Sequence, residues 1–160
     1  MTTREILLLG NLQLYEVSKD ILESELDALP EIVQDLHDTM MEFRNRYGVG
    51  RAIAAPQIGV MKRIIYMHID KPYVFVNPVL KDLSNEMIEL WDDCMCFPHL
   101  LVKVRRHRTC TIEYRDENWE PRTMKLKDDL SELLQHEYDH LDGILAVSRA
   151  VDKTSFSYRN

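Results

Sequence analysis

The chain has 160 residues, 45% of them hydrophobic, which is enough for one core and leaves little material for two domains. A net charge of -7 and a pI near 5.3 exclude broad phosphate-backbone binding, so no direct nucleic-acid partner is expected. The apolar run at residues 6–9 is far shorter than a membrane span or a signal-peptide core, and a cytoplasmic protein without membrane contact is the expectation.

In chain order, the first clear pattern is Leu29, Ile32, Val33, Leu36, Met40 and Phe43, apolar residues at helical spacing. Pro30 stands near the start, where a missing N–H does least harm, and the pattern predicts a helix over 29–43. Tyr47-Gly48-Val49-Gly50 then leads into Ala54-Ala55-Pro56-Gln57-Ile58-Gly59, whose small residues leave the backbone open to close contact. That stretch reads as a loop or a ligand-facing edge. From 63 to 122 β-branched and aromatic runs predict strands at 64–69, 73–76, 87–91, 101–104 and 110–114. Lys71-Pro72, Asn77-Pro78 and Asp116-Glu117-Asn118 punctuate them. Asp128 and Asp129 place negative charge at the start of a last helix, which runs through Leu141 and stops at Gly143. The tail over 154–160 is too short and polar for a further element. Helices segregated from a mostly antiparallel sheet give an α+β fold in a single domain over 1–160.

Chemistry concentrates in His136-Glu137-Tyr138-Asp139-His140, which puts two imidazoles one helical turn apart so that both reach one metal ion. On that helix Glu137 falls among Leu130, Leu133, Leu134 and Leu141, a carboxylate where a core residue belongs. Burying it unpaired costs roughly several kcal/mol, so it protonates, finds a partner or performs a task. Salt bridges and hydrogen bonds alone would have to explain three unusual placements at once; a metal site explains them together. An open tetrahedral site needs a third protein ligand. Three cysteines, an odd number without an export signal, argue for reduced thiols or metal ligation rather than a disulfide framework. Cys94 is the best candidate, although a free cysteine is often a small buried hydrophobe, and Cys96 on the same extended segment competes with it.

Three ordered motifs resemble those of peptide deformylases over nearly the whole chain. Gly50-Arg51-Ala52-Ile53-Ala54-Ala55-Pro56-Gln57 is similar to G-x-G-x-A-A-P-Q, Asp92-Asp93-Cys94-Met95-Cys96 resembles E-G-C-L-S, and the third is the full H-E-x-D-H. The resemblance implies antiparallel sheets packed around a central H-E-x-x-H helix, with Cys94, His136 and His140 as metal ligands and Glu137 as the acid/base. It implies one divalent ion, natively Fe2+, with Zn2+, Ni2+ or Co2+ also accepted by these ligands. Gln57 and the Met95 backbone N–H would steady the oxyanion while a formyl group is removed from a formylmethionyl peptide, encountered as a nascent chain at the ribosome by a monomer or homodimer. Gly50, Ala52, Ile53, Met95 and Leu133 would bind the substrate, with Ile88 as a further wall of its pocket, although Ile53, Ile88 and Leu133 each also read as core.

Four positions depart from the pattern: Ala52 and Asp93 stand where glycines are expected, Cys96 where a serine is, and Leu101 where many members carry a peptide-holding arginine. Asp93 should raise the pKa of Cys94 unless Arg105 or Arg106 compensates, while Asp92 with Arg106 preserves an acid–arginine pair of the family. Lys103 and Arg108 read as a solvated strand face, and Tyr138 as packing. Competing readings are a deformylase-like hydrolase of another N-acylated peptide or small molecule, and a noncatalytic metal- or peptide-binding module. A thermolysin-like protease is discounted, because only Asp142 and Asp152 follow His140 as possible ligands.

Overall fold

In the computed structural model, which describes residues 3–159, a five-stranded sheet lies between two helices. The sheet has the order β1-β2-β3-β6-β7, formed by Ala52–Ala54, Ile64–His68, Pro72–Lys81, Thr109–Arg115 and Pro121–Lys127. A second sheet has the order β4-β5-β8, from Met87–Asp92, Leu100–His107 and Phe156–Tyr158, and every strand pair in both is antiparallel. Helix α1 spans Leu29–Tyr47 and α2 spans Asp129–Leu141.

Strand alternation explains the layering. In β2 and β3, Ile64, Tyr66, Val74 and Val76 pack with Leu36, Met40 and Phe43 of α1, whereas Ile65, Met67 and Phe75 pack with Leu133, Leu134 and Leu141 of α2. Successive side chains point to opposite faces, and a sheet covered on both reads as a continuous apolar run, as 64–67 does. Helix α2 is also tied to the second sheet: Gln135 Oε1 accepts from the His107 N–H at 3.0 Å, and its Nε2 donates to the His107 carbonyl at 2.8 Å.

The observed elements depart from the sequence reading in four places. Asn77-Pro78 does not end a strand; β3 continues through a bulge between Val76 and Val79, with Asn77 at φ 50°. A bulge is where a sheet tolerates proline and an αL asparagine. The stretch read as a loop contains β1, β7 was not anticipated, and the polar tail supplies β8. Backbone pairing holds the exposed β8, whereas the three residues of β1 are also buried by their side chains on both faces. Helix α2 ends at Gly143 as expected, at φ +72°; a Cβ there would sit 2.4 Å from the Tyr15 carbonyl oxygen. Among the described residues no helix is long and apolar enough to cross a membrane.

Candidate metal centre and its cavity

Helix α2 supplies His136, Glu137 and His140, all buried, while Cys94 follows β4 in a turn. Potential ligand atoms of Cys94, His136 and His140 all lie within 4.8 Å of one another, and Cys94 Sγ is 3.3 Å from His140 Nε2. One thiolate sulfur and two imidazole nitrogens suit a divalent transition metal. His136 Nδ1 is 2.8 Å from Asp92 Oδ2, which leaves its Nε2 for the site. Cys96 is not part of the trio.

Behind the trio runs a buried ion-pair chain. Arg106, 2% exposed, donates from Nη2 to Asp92 at 2.9 Å and from Nη1 to Asp139 at 2.7 Å. Arg149 closes the other side of Asp139. The expected Asp92–Arg106 pair is therefore present, and it fixes the His136 ring through Asp92.

Glu137 is 4% exposed, and its Oε1 has no hydrogen-bond partner among the described residues. Burial pushes its pKa up to about 7 against the pull of His136, and the carboxylates of Asp92, Glu132 and Asp93 reinforce the rise. Burial would lower His136, but Asp92 overrides it and raises the imidazole to about 10; burial holds His140 well below its usual value. Burial also pushes the Cys94 thiol well up, and the hydrogen bond and charge of Cys96 add to the effect. An unpartnered buried carboxyl beside this donor set fits a bound cation and its water.

Gln57 has two tasks. Its Oε1 accepts from the Ala54 N–H at 2.8 Å, closing a short turn, while Nε2 faces the sulfurs of Cys94 and Cys96 at 3.6 and 3.5 Å. Turn capping and a site-facing amide thus coexist in one side chain. All this opens onto a cavity of about 450 Å³, lined by Gly50, Ala52, Gln57, Met95, Leu133 and Glu137 among others. Gly50 sits at φ +132°, where a Cβ would approach Met95 Cε to 3.1 Å. The extra methyl of Ala52 joins the apolar cluster beneath α2.

Several assignments change. Ile53 does not line the cavity; at 0% exposure it belongs to the core beneath α1, because its neighbours Ala52 and Ala54 take the opposite strand face. Ile88 is part of β4 and does not line the cavity either. Asp93 is compensated by Arg159, whose Nη2 donates to it at 2.5 Å, and not by Arg105 or Arg106; its charge bears on Glu137. Arg105 pairs with Glu89, and Arg108 pairs with Asp128 and Glu86 at the protein surface. Leu101 lies opposite Ser157 on β8, and Arg159, like Phe43, Val49 and Ile69, lines the cavity without having been anticipated from the sequence. Asp142 pairs with Arg63 and Asp152 caps the local turn with Thr154 and Ser155, so the downstream acids are engaged elsewhere.

Residues 3–156 match the family model for polypeptide deformylase. The peptide deformylase of Microchaete diplosiphon is 32% identical, over 94% of this chain and 86% of its own length. A crystal structure of a peptide deformylase from Synechococcus elongatus in complex with actinonin is similar at a TM-score of 0.88 and 26% identity, over 97% of this chain and 82% of that one. A class I type b peptide deformylase from Acinetobacter baumannii bound to Met-Ala-Ser gives a TM-score of 0.85 at 27% identity, covering 93% and 99%. Sequence agreement of this extent, together with the shared fold, means that the chain belongs to the peptide deformylase family.

Proposed function

We propose that this chain hydrolyses the N-terminal formyl group of formylmethionyl peptides, releasing formate, with Cys94, His136 and His140 holding one divalent ion that is natively ferrous iron. The observation that carries the reading is Glu137, a buried carboxyl whose Oε1 has no hydrogen-bond partner among the described residues, on the same cavity as a Cys-His-His trio. When bound, the ion supplies a Lewis acid that brings the pKa of water from 15.7 toward about 7.

Glu137 takes the proton from the attacking water at a carboxylate oxygen and returns it to the departing amide nitrogen. A pKa raised to about 7 suits both transfers near neutral pH. Gln57 Nε2 and the Met95 N–H donate to the formyl oxygen as negative charge builds on it. Asp92 keeps the proton of His136 on Nδ1, and Arg106 holds Asp92 in place. Apolar side chains of Phe43, Val49, Ile69, Met95 and Leu133 on the cavity wall accommodate the methionine. Nascent chains leaving the ribosome are the natural source of such a substrate.

Gln57→Ala is expected to lower kcat by about 10²-fold through loss of the donor. Because Oε1 also closes the turn at Ala54, stability should fall by about 1 kcal/mol in the same variant. Steady-state kinetics and thermal melts check the two effects separately. The reading itself is tested by removing metal with a chelator and titrating Fe2+ or Ni2+ back anaerobically. Formate release should vanish and return at one ion per chain; activity that survives complete chelation would sink the assignment of the trio.

A further inference from the structure

One wall of the cavity is built by the end of the chain. Arg159 lines it directly after β8, where its N–H donates to the His99 carbonyl at 2.9 Å and Tyr158 pairs with Leu100. Its Nη2 donates to Asp93 Oδ2, and Asp93 immediately precedes Cys94. Backbone pairing at one end and a carboxylate at the other therefore fix the guanidinium beside the metal-ligand trio. Its side chain is 28% exposed, and among the described residues Nε and Nη1 donate to no partner.

The other cations of this wall are committed. Arg44 donates to the carbonyl oxygens of Gly50 and His68, and Arg51 pairs with Glu132 and Asp129. Arg159 thus brings spare N–H donors, in a rigid planar fork, to the cavity that takes the substrate. A peptide extending beyond its methionine carries acceptors suited to that fork, its carbonyl oxygens.

We propose that Arg159 is a substrate-anchoring residue, donating from Nε and Nη1 to carbonyl oxygens on the C-terminal side of the methionine; this rests on the deformylase reading. Asp93 is a positioning residue: it aims the guanidinium and offsets its charge, which favours a neutral carbonyl over an anion. A short peptide can present the same oxygen acceptors through its terminal carboxylate, and the test separates the two sources.

The experiment compares metal-loaded wild type, Arg159→Ala and Arg159→Lys. Calorimetry gives Kd for Met-Ala-Ser as free acid and as carboxamide, and kinetics give KM and kcat for the formylated forms. Arg159→Ala should raise Kd and KM roughly tenfold with kcat within about twofold, and Arg159→Lys should recover part of the loss. A loss with both peptide forms supports anchoring of backbone carbonyls, whereas a loss with the acid alone places the contact on the terminal carboxylate and overturns the carbonyl assignment. Unchanged Kd and KM in Arg159→Ala, a fall confined to kcat, or no binding of either peptide by wild type would overturn it. Because Kd is read without turnover, a wild type that binds the peptide but releases no formate would refute the deformylase reading while still testing Arg159.

Discussion

Glu137→Ala is expected to lower kcat for formate release by about 10²–10⁴-fold, the range over which a positioned general acid/base acts, while the protein keeps its metal. The carboxylate does not belong to the trio, so metal analysis of the variant should match wild type. A gain of stability is expected from the isosteric variant Glu137→Gln. Glu137 is an acid whose pKa is raised by burial to about 7 from the ordinary glutamate value of about 4.5. The folded metal-free protein therefore disfavours its ionised form, and stability declines as pH rises from about 4.5 to about 7. Glu137→Gln removes that penalty. In the metal-free protein it should raise the Tm at pH 8 and leave it nearly unchanged at pH 4.5. Equal melting curves for the two proteins at pH 8 would show that the carboxyl is not strained by its burial.

Arg106→Ala should produce the largest loss of stability. The guanidinium is 2% exposed and joins two buried carboxylates, Asp92 at 2.9 Å and Asp139 at 2.7 Å. Removing one partner of a buried ion pair leaves an uncompensated charge and costs about 3–5 kcal/mol. For a chain of this size that corresponds to a fall of roughly 10 °C in Tm. Arg149 still neutralises part of Asp139, so the lasting injury falls on Asp92 and, through it, on His136. Metal affinity should drop by about 10–100-fold, as it does when a partner supporting a ligand is lost. Arg106→Lys keeps a charge but cannot reach both acids with a planar fork, and only partial recovery is expected. Thermal melts and metal-binding titrations read the two consequences; a variant with wild-type Tm would mean that water reaches the pair.

The candidate site was legible in the sequence where periodicity and chemistry coincide. On α2 the 3.6-residue repeat placed Glu137 with the leucines of the core face and the two histidines one turn apart, and the structure keeps both placements. Cys94 was harder, because a C-x-C segment after a strand offers two thiols and periodicity does not choose between them. Both thiols border the same core cluster, but the turn brings only the Cys94 sulfur within reach of His136 and His140. Strand ends were obscured for a local reason: Asn77-Pro78 has turn chemistry, yet here it makes a bulge whose asparagine side chain exchanges hydrogen bonds with the backbone of Ile21. Arg159 left no signal at all. It lies 66 positions from Asp93 in a short polar tail, and only pairing of β8 with β5 carries it to the cavity. Ile53 was misplaced for the opposite reason, since a motif position says nothing about which face of β1 a side chain takes.

The most direct test of the chemistry is to follow formate from formyl-Met-Ala-Ser, and acetate from acetyl-Met-Ala-Ser, with anaerobically purified protein carrying one Fe2+ or Ni2+ per chain. The expected result is multiple-turnover release of formate, at least about 10²-fold faster than any release of acetate and abolished in Glu137→Ala with its metal retained. A folded, metal-loaded protein that releases no formate, or that releases acetate as readily, would contradict the assignment and direct attention to other N-acylated substrates.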